Sequence, residues 1–278
     1  MRRFFLVIAL LAAIMPAALS ACRTATSNRM VVVTSTTLIQ YIVQQVGGDR
    51  VEVLNLVPPN QHPGNYDVKP GDIEKLARAR LFILHGYPGE GFADELVAAA
   101  DNPNLTVVKA NVDGNWMIPS VQQTATDRIE EILSQADPAN AAAYAQAADA
   151  YKLRVQAKVA TIQAALKAAG LSQAAVIASV RQADFLQWAG FNVVATFVDA
   201  NSLTPQTVQS LVDQGRASGV RAVINNLQDG KDAGKAIAAE LGVPNINLSN
   251  FPGGFDDTDT WEKAIDYNVE LLIKAVGK

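Results

Sequence analysis

The stretch from Asp137 to Gly170 constrains the fold more than any other part of the chain. Its apolar positions are Tyr144, Ala148, Tyr151, Val155, Val159, Ile162 and Leu166. Their spacing follows one face of a 3.6-residue period. Alanine, the strongest helix former, fills most of the remaining positions. Asp137 suits an N-cap, Pro138 the first helical turn and Gly170 a left-handed stop. A helix over all of this stretch is roughly 45–50 Å long at 1.5 Å per residue. That is more than one lobe needs and about the span of a two-lobed protein. The alternative, an ordinary long surface helix, fits less well with what lies on either side.

Strands and helices alternate on both sides. Before the long helix, residues 30–35, 51–57, 81–84 and 105–109 read as strands, with helices over 38–46, 70–79 and 92–100. After it, strands are expected over 174–179, 192–198, 222–225 and 245–248, and helices over 185–189, 204–218, 231–241 and 261–276. This predicts an α/β fold of two lobes, each a parallel sheet flanked by helices, joined by one long rigid helix. The expected boundaries are 30–136, 137–170 and 171–278. Ligands of such sheets bind beyond the carboxyl ends of the strands, and the loops at 58–67, 85–90 and 111–120 leave those ends.

The N-terminus reads as a targeting segment. Arg2 and Arg3 precede an apolar run over 4–18, too short for a comfortable membrane span. The run ends in Leu19-Ser20-Ala21-Cys22, and small residues before a Cys are what a lipoprotein signal peptidase requires. Residues 1–22 are therefore expected to be the signal and lipobox, with Cys22 carrying the lipid and 23–29 forming a tether. Cys22 is the only cysteine, so no intramolecular disulfide forms. The expected location is the outer face of a membrane, periplasmic or extracellular, held there by the lipid. Without Arg2 and Arg3 the chain has 21 basic and 27 acidic residues, a net charge of about −6. No basic stripe suggests a nucleic-acid partner.

The run VGGDRVEVLNLVPPNQHPGNYDVKPGDIEKLARARLFILHG resembles the start of the metal-type solute-binding proteins of ABC importers, the zinc and manganese binders. Their pattern has a Gly-Gly-Asp-Arg-Val turn, a Val-Pro-Pro-Gly loop, an Asp-Pro-His-x-Tyr-Glu motif and a Pro-x-Asp-Ile-x-x-Leu-x-x-Ala-Asp-Leu helix and strand. The resemblance covers about residues 31–275, densely in the first half and more loosely in the second. It implies two α/β lobes on one long helix, a cleft that holds a transported divalent transition metal, and no catalytic cofactor. It also implies a membrane permease as partner, a monomer, and closure by small rocking of the lobes.

The same resemblance implies two His ligands from the first lobe, and a His or Glu plus an Asp from the second. Carried over residue by residue, none of the four is kept. Tyr66 matches the motif's Tyr, but Gly64 stands at the His position, with His62 two residues earlier. Asn115, in Asp113-Gly114-Asn115-Trp116, replaces the second His. Val180 or Arg181 takes the third position and Ser249 the fourth. His62 and His85 are the only histidines, so a three-His zinc site within one chain is excluded by count.

Two ligand sets remain open. A rebuilt metal site would use His62, His85 and Glu90, with Asn115. A polar set of Asn65, Tyr66, Asn115, Arg181, Asn226, Gln228, Ser249 and Asn250 would suit a metal chelate or a small anionic or polar organic solute. In that set a guanidinium pairs with carboxylate or phosphate, and Tyr87, Trp116 and Phe251 offer flat apolar contacts. Plainer roles stand beside these. His62 could be a solvated loop residue, His85 a hydrogen-bonding loop residue, Glu90 a structural anchor and Arg181 a partner of Asp184. The amides could be turn residues and caps, and the Asp-rich run 256–259 a solvated cap. No nucleophile–base pair, phosphate-binding glycine loop or carboxylate pair indicates an enzyme. The leading expectation is a lipid-anchored solute-binding protein of an ABC importer, and the other class is an adhesion or scaffold lipoprotein without a ligand.

Overall fold

The computed structural model describes residues 29–277; the expected export signal, lipid site at Cys22 and tether up to residue 28 lie outside the described residues. The first sheet contains β1 (Met30–Thr34), β2 (Val51–Asn55), β3 (Leu81–Leu84) and β4 (Thr106–Lys109). The second contains β5 (Ala175–Ser179), β6 (Asn192–Phe197), β7 (Ala222–Asn226) and β8 (Asn245–Leu248). Every strand pair is parallel, and the two sheets repeat one order, β2-β1-β3-β4 and β6-β5-β7-β8. All residues of β3, β5 and β7 are buried, as happens when helices cover both faces of a sheet.

The helices are α1 (Thr37–Gly47), α2 (Pro70–Ala77), α3 (Phe92–Ala100), α4 (Pro119–Ala136), α5 (Ala141–Ala168), α6 (Val180–Trp188), α7 (Pro205–Ser218), α8 (Lys235–Leu241) and α9 (Trp261–Val276). The strut is α5, and it starts later than the sequence suggests. Pro138–Asn140 forms a 3-10 turn. The Asp137 carboxylate accepts from the Tyr144 hydroxyl (2.8 Å) and Asn140 Nδ2 (2.7 Å), and caps no backbone N–H. Of the seven apolar positions, only Val159 is not fully buried. The 28 residues of α5 span about 42 Å. Gly170, at φ 68°, takes the left-handed stop.

Helix α4 was not expected from the sequence. It packs along α5, and both touch α1 of the first lobe, while α5 also touches α9 of the second. Helix α6 starts directly after β5, five residues earlier than expected, because the Ser179 hydroxyl caps it by accepting from Arg181 N (3.3 Å). Helix α8 starts at Lys235, four residues later than expected.

One apolar cluster runs through both lobes, from Ile39 and Ile83 through Tyr144 and Tyr151 to Ile224 and Trp261. Two smaller clusters fill the outer layers, around Leu76, Phe82 and Leu96 in the first lobe and Ile177, Val212 and Ile237 in the second. Each fully buried large side chain contributes about 1.5–3 kcal/mol. No described helix is long and apolar enough to cross a membrane.

Candidate functional site

In a parallel sheet of this order the chain leaves the two central strands toward opposite sides, and a crevice opens beyond their carboxyl ends. The crevices of the two sheets face each other and merge into a cleft of about 740 Å³. The first lobe lines it with His62 after β2, the loop from His85 to Gly89 after β3, and the segment from Asn111 to Trp116 after β4. The second lobe contributes Val180, Arg181 and Asp184 of α6, Asn226 and Gln228 from the end of β7, and Asn250 and Phe251 after β8.

Of the residues singled out from sequence, His62, His85, Asn115, Arg181, Asn226, Gln228 and Asn250 line this cleft, as do Tyr87, Trp116 and Phe251. Asn65, Tyr66, Glu90 and Ser249 do not. Asn65 is exposed elsewhere on the loop. Tyr66 turns into the outer core, where its hydroxyl donates to Asp72 (2.6 Å) and its ring packs edge-on against Phe92. Ser249 is buried; its hydroxyl donates to Phe251 O (2.8 Å) and accepts from Gln228 Nε2 (3.0 Å).

The three residues of the expected metal set do not converge. Glu90 lies beneath the loop and anchors it, accepting from the Ser35 hydroxyl (2.5 Å), His85 N (3.0 Å) and Gly86 N (2.8 Å). Burial raises its carboxyl against the pull of those bonds. The His85 ring sits against Trp116 and Tyr87, with centroids 4.5 and 5.3 Å away, and its Nε2 meets Thr36 Oγ1 at 2.7 Å. Burial pushes its pKa down to about 3, so the ring is neutral. His62 Nδ1 accepts from Gly64 N (2.9 Å), which puts the proton of the neutral ring on Nε2. Burial, and then the Arg181 charge, lower its pKa. His62 Nδ1 and both Glu90 oxygens are engaged locally, and no group of three His, Cys, Asp or Glu among the described residues could hold a metal ion.

The second lobe presents an ion pair and a set of amides. Arg181 Nε donates to both oxygens of Asp229 (3.0 and 2.9 Å), not to Asp184. The Asp229 side chain is 8% exposed and that of Arg181 is 40%. A buried carboxylate thus fixes one edge of the guanidinium, and its two terminal nitrogens have no partner among the described residues. Asn226 Nδ2 also donates to Asp229 (3.0 Å). Gln182, which the sequence reading passed over, is fully buried and donates to Asn226 Oδ1 and Asn250 Oδ1 (both 3.0 Å).

Direct hydrogen bonds also join the lobes. Asn115 Nδ2 lies 2.9 Å from Arg181 O and 3.0 Å from Asn250 Oδ1. Gln228 Nε2 donates to Pro59 O and the Thr37 hydroxyl to Pro252 O, both at 2.7 Å. The cleft offers both donors and acceptors. The His62 Nε2–H, the Tyr87 hydroxyl and the free edge of Arg181 are donors; burial raises the Tyr87 pKa, so its proton stays on. Asp113 and Asp184, both exposed, are anionic acceptors in its lining.

A family model described as zinc-uptake complex component A, periplasmic (ZnuA) matches residues 32–275. Among curated relatives, the iron-binding protein YfeA of Yersinia pestis is 24% identical over 274 residues, covering 91% of this chain and 88% of its own length. The manganese ABC transporter substrate-binding lipoprotein scaA of Streptococcus gordonii is 22% identical, covering 99% of this chain and 98% of its own. A crystal structure of ZnuA superposes with a TM-score of 0.76 at 22% identity, covering 90% of this chain and all of that one. The Mn-bound periplasmic metal binding protein from Candidatus Liberibacter asiaticus gives the same TM-score at 17% identity, over 89% of this chain and all of its own.

Proposed function

We propose, from the premise that this chain belongs to the family of periplasmic zinc-uptake component A proteins, that it captures a transition metal in chelated form for an ABC importer. The family is a substrate-binding component of transport, and its streptococcal members ScbA and scaA are named as metal or manganese ABC transporter substrate-binding lipoproteins. In this reading Cys22 carries the lipid, residues 30–136 and 171–278 form the lobes, and the monomer hands its cargo to a membrane permease.

The observation that carries the reading is the pairing of a free, oriented Arg181 edge with the lack, among the described residues, of a convergent metal-ligand set. A volume of about 740 Å³ suits a small organic molecule and is far more than one ion fills. The His62, Tyr87 and Arg181 donors would take the carboxylates of a chelate, the bidentate contact a guanidinium favours. Asp113 and Asp184 would lie toward its cationic side. Trp116 is almost fully buried and stiffens the floor.

Native mass spectrometry of residues 23–278 tests this with zinc and manganese as bare ions and as citrate chelates. The expected result is no stoichiometric uptake of the bare ions and uptake of one chelate, lost in Arg181→Gln. Stoichiometric uptake of a bare ion, lost in His62→Ala, refutes the chelate and assigns a rebuilt metal site. Failure of every ion, chelate and co-purifying solute to bind assigns the ligand-less scaffold.

A further inference from the structure

A second cavity, of about 650 Å³, opens at the opposite end of the first sheet. Strand register explains what lines it. Met30 pairs with Val51, which sets Arg29 beside Arg50. Val32 pairs with Leu81, which sets Val31 beside Arg80, and Arg80 N donates to Val31 O (2.9 Å). Three adjacent parallel strands, β2, β1 and β3, therefore each begin directly after an arginine, with the backbones about 4.8 Å apart. Arg78, at the end of α2, joins them in the same cavity.

Four guanidiniums at one end of one sheet repel each other, and the protein neutralises them only in part. Of these four arginines, Arg78 alone has a carboxylate partner among the described residues, Glu52 at 2.9 Å. Arg50 Nε donates to the Asn140 amide oxygen (3.1 Å), and Arg80 reaches only Asn104 O (3.4 Å). Asp49 and Asp137 also line the cavity, and Asp137 keeps its charge although its carboxylate is turned to Tyr144 and Asn140, so with Glu52 three carboxylates stand against the four guanidiniums and an excess of positive charge remains. This concentration stands on a chain that is acidic overall. Arginine forks also match phosphate oxygens in a way lysine does not.

The occupant follows from where the chain enters. Arg29 is the first described residue and itself lines the cavity. Cys22 lies seven positions earlier, at most about 25 Å of extended chain. We propose that this arginine-lined cavity docks on the phosphate headgroups of an anionic membrane. The inference rests on the reading that Cys22 ties the chain to that membrane. The cleft lies beyond the other ends of the same strands, so docking turns its mouth away from the bilayer. The docked molecule is a resting orientation open to solutes, and it must release its arginines before it can present cargo to a permease in the same membrane.

Lipid-free residues 23–278 provide the test, since every described strand and helix starts at Met30 or later. Flotation is measured with vesicles of phosphatidylcholine alone and with phosphatidylglycerol added. The expected result is binding only to the anionic vesicles, weakened about a hundredfold in Arg50→Gln/Arg78→Gln/Arg80→Gln, as about fivefold per arginine implies. The second-lobe control Lys235→Gln/Lys263→Gln should bind as the unaltered chain does. Should the triple variant lose its fold by circular dichroism, Arg50→Gln alone decides, with about a fivefold loss expected. Equal binding by the arginine variants, or no preference for anionic vesicles, overturns the proposal. So does displacement from vesicles by inorganic phosphate that calorimetry shows to bind in this cavity, since a soluble anion is then the occupant. None of these outcomes touches the cargo reading, which mass spectrometry tests without a membrane.

Discussion

Acid should destabilise this protein partly through one ring, His85. The ring is buried, with only 8% of the residue exposed at the cleft, and that burial holds its pKa near 3, against 6.5 for a free imidazole. Between those values the unfolded chain binds a proton at this residue and the folded chain does not. Stability from His85 is therefore fully present above about pH 6.5 and is lost as pH falls toward 3. The slope is about 1.4 kcal/mol per pH unit, or roughly 4–5 kcal/mol over the whole interval. Carboxylates titrate in the same range, so the measurement must be a difference. Urea unfolding of the unaltered chain and of His85→Gln, at steps from pH 7 to pH 4, isolates the ring. Glutamine keeps a polar group near Thr36 Oγ1, the 2.7 Å partner of Nε2, and has no proton to gain. The stability difference between the two proteins should move by roughly 3 kcal/mol over that range, with the unaltered chain losing more. Parallel pH curves would refute the burial reasoning. Nuclear magnetic resonance gives a second check, because with two histidines in the chain only His62 should titrate before the fold is lost.

Other expectations follow from the same contacts. Glu90→Ala orphans two buried donors, the Ser35 hydroxyl and His85 N, and the part-buried Gly86 N, and should cost roughly 3–5 kcal/mol in urea unfolding, with Glu90→Gln recovering part of it; a loss under 1 kcal/mol would show that the loop is held by other means. Trp261→Ala empties a fully buried site and frees the Trp116 carbonyl it bonds at 3.0 Å, for about 3–5 kcal/mol, read as a fall in urea midpoint. Asn115→Ala removes a cross-cleft amide and should speed hydrogen exchange in the loop of residues 111–118, while changing global stability by only about 1–3 kcal/mol; unchanged exchange there would mean that this amide does not hold the lobes together.

Much of the scaffold could be read from the sequence because the signals are local and repeated. Val-rich runs ending at glycine turns place the strands, and the period from Tyr144 to Leu166 places the strut. Helix α4 escaped because its buried face includes Gln122 and Thr126, polar residues that interrupt an apolar period; Pro119 at its first turn and the Ile129, Ile132, Leu133 spacing were the available signals. The site was legible as a set of loops, less so as contacts. Arg181 has an acid three residues on, the ordinary helical partner, yet its partner is Asp229, 48 positions away in the turn after β7. No sequence rule supplies a contact of that range. Gln182 carries no motif, and only its position at the start of α6 places it beneath Asn226 and Asn250. Tyr66 fell on a family motif, but the 3-10 turn at Pro63–Asn65 sends its ring to the outer core.

The apolar cluster that threads both sheets has a consequence for how the molecule comes apart. The two halves look like copies, yet neither owns its inner layer: Tyr144 and Tyr151 of the strut share one cluster with strand residues of both sheets. A severed half would keep its outer layer and lose the other. Heating should therefore melt both halves together, while amide exchange in the outer layers, around Leu76 and Ile237, opens separately and earlier. What reads in the pattern as two repeated modules is, energetically, a single body with two detachable skins.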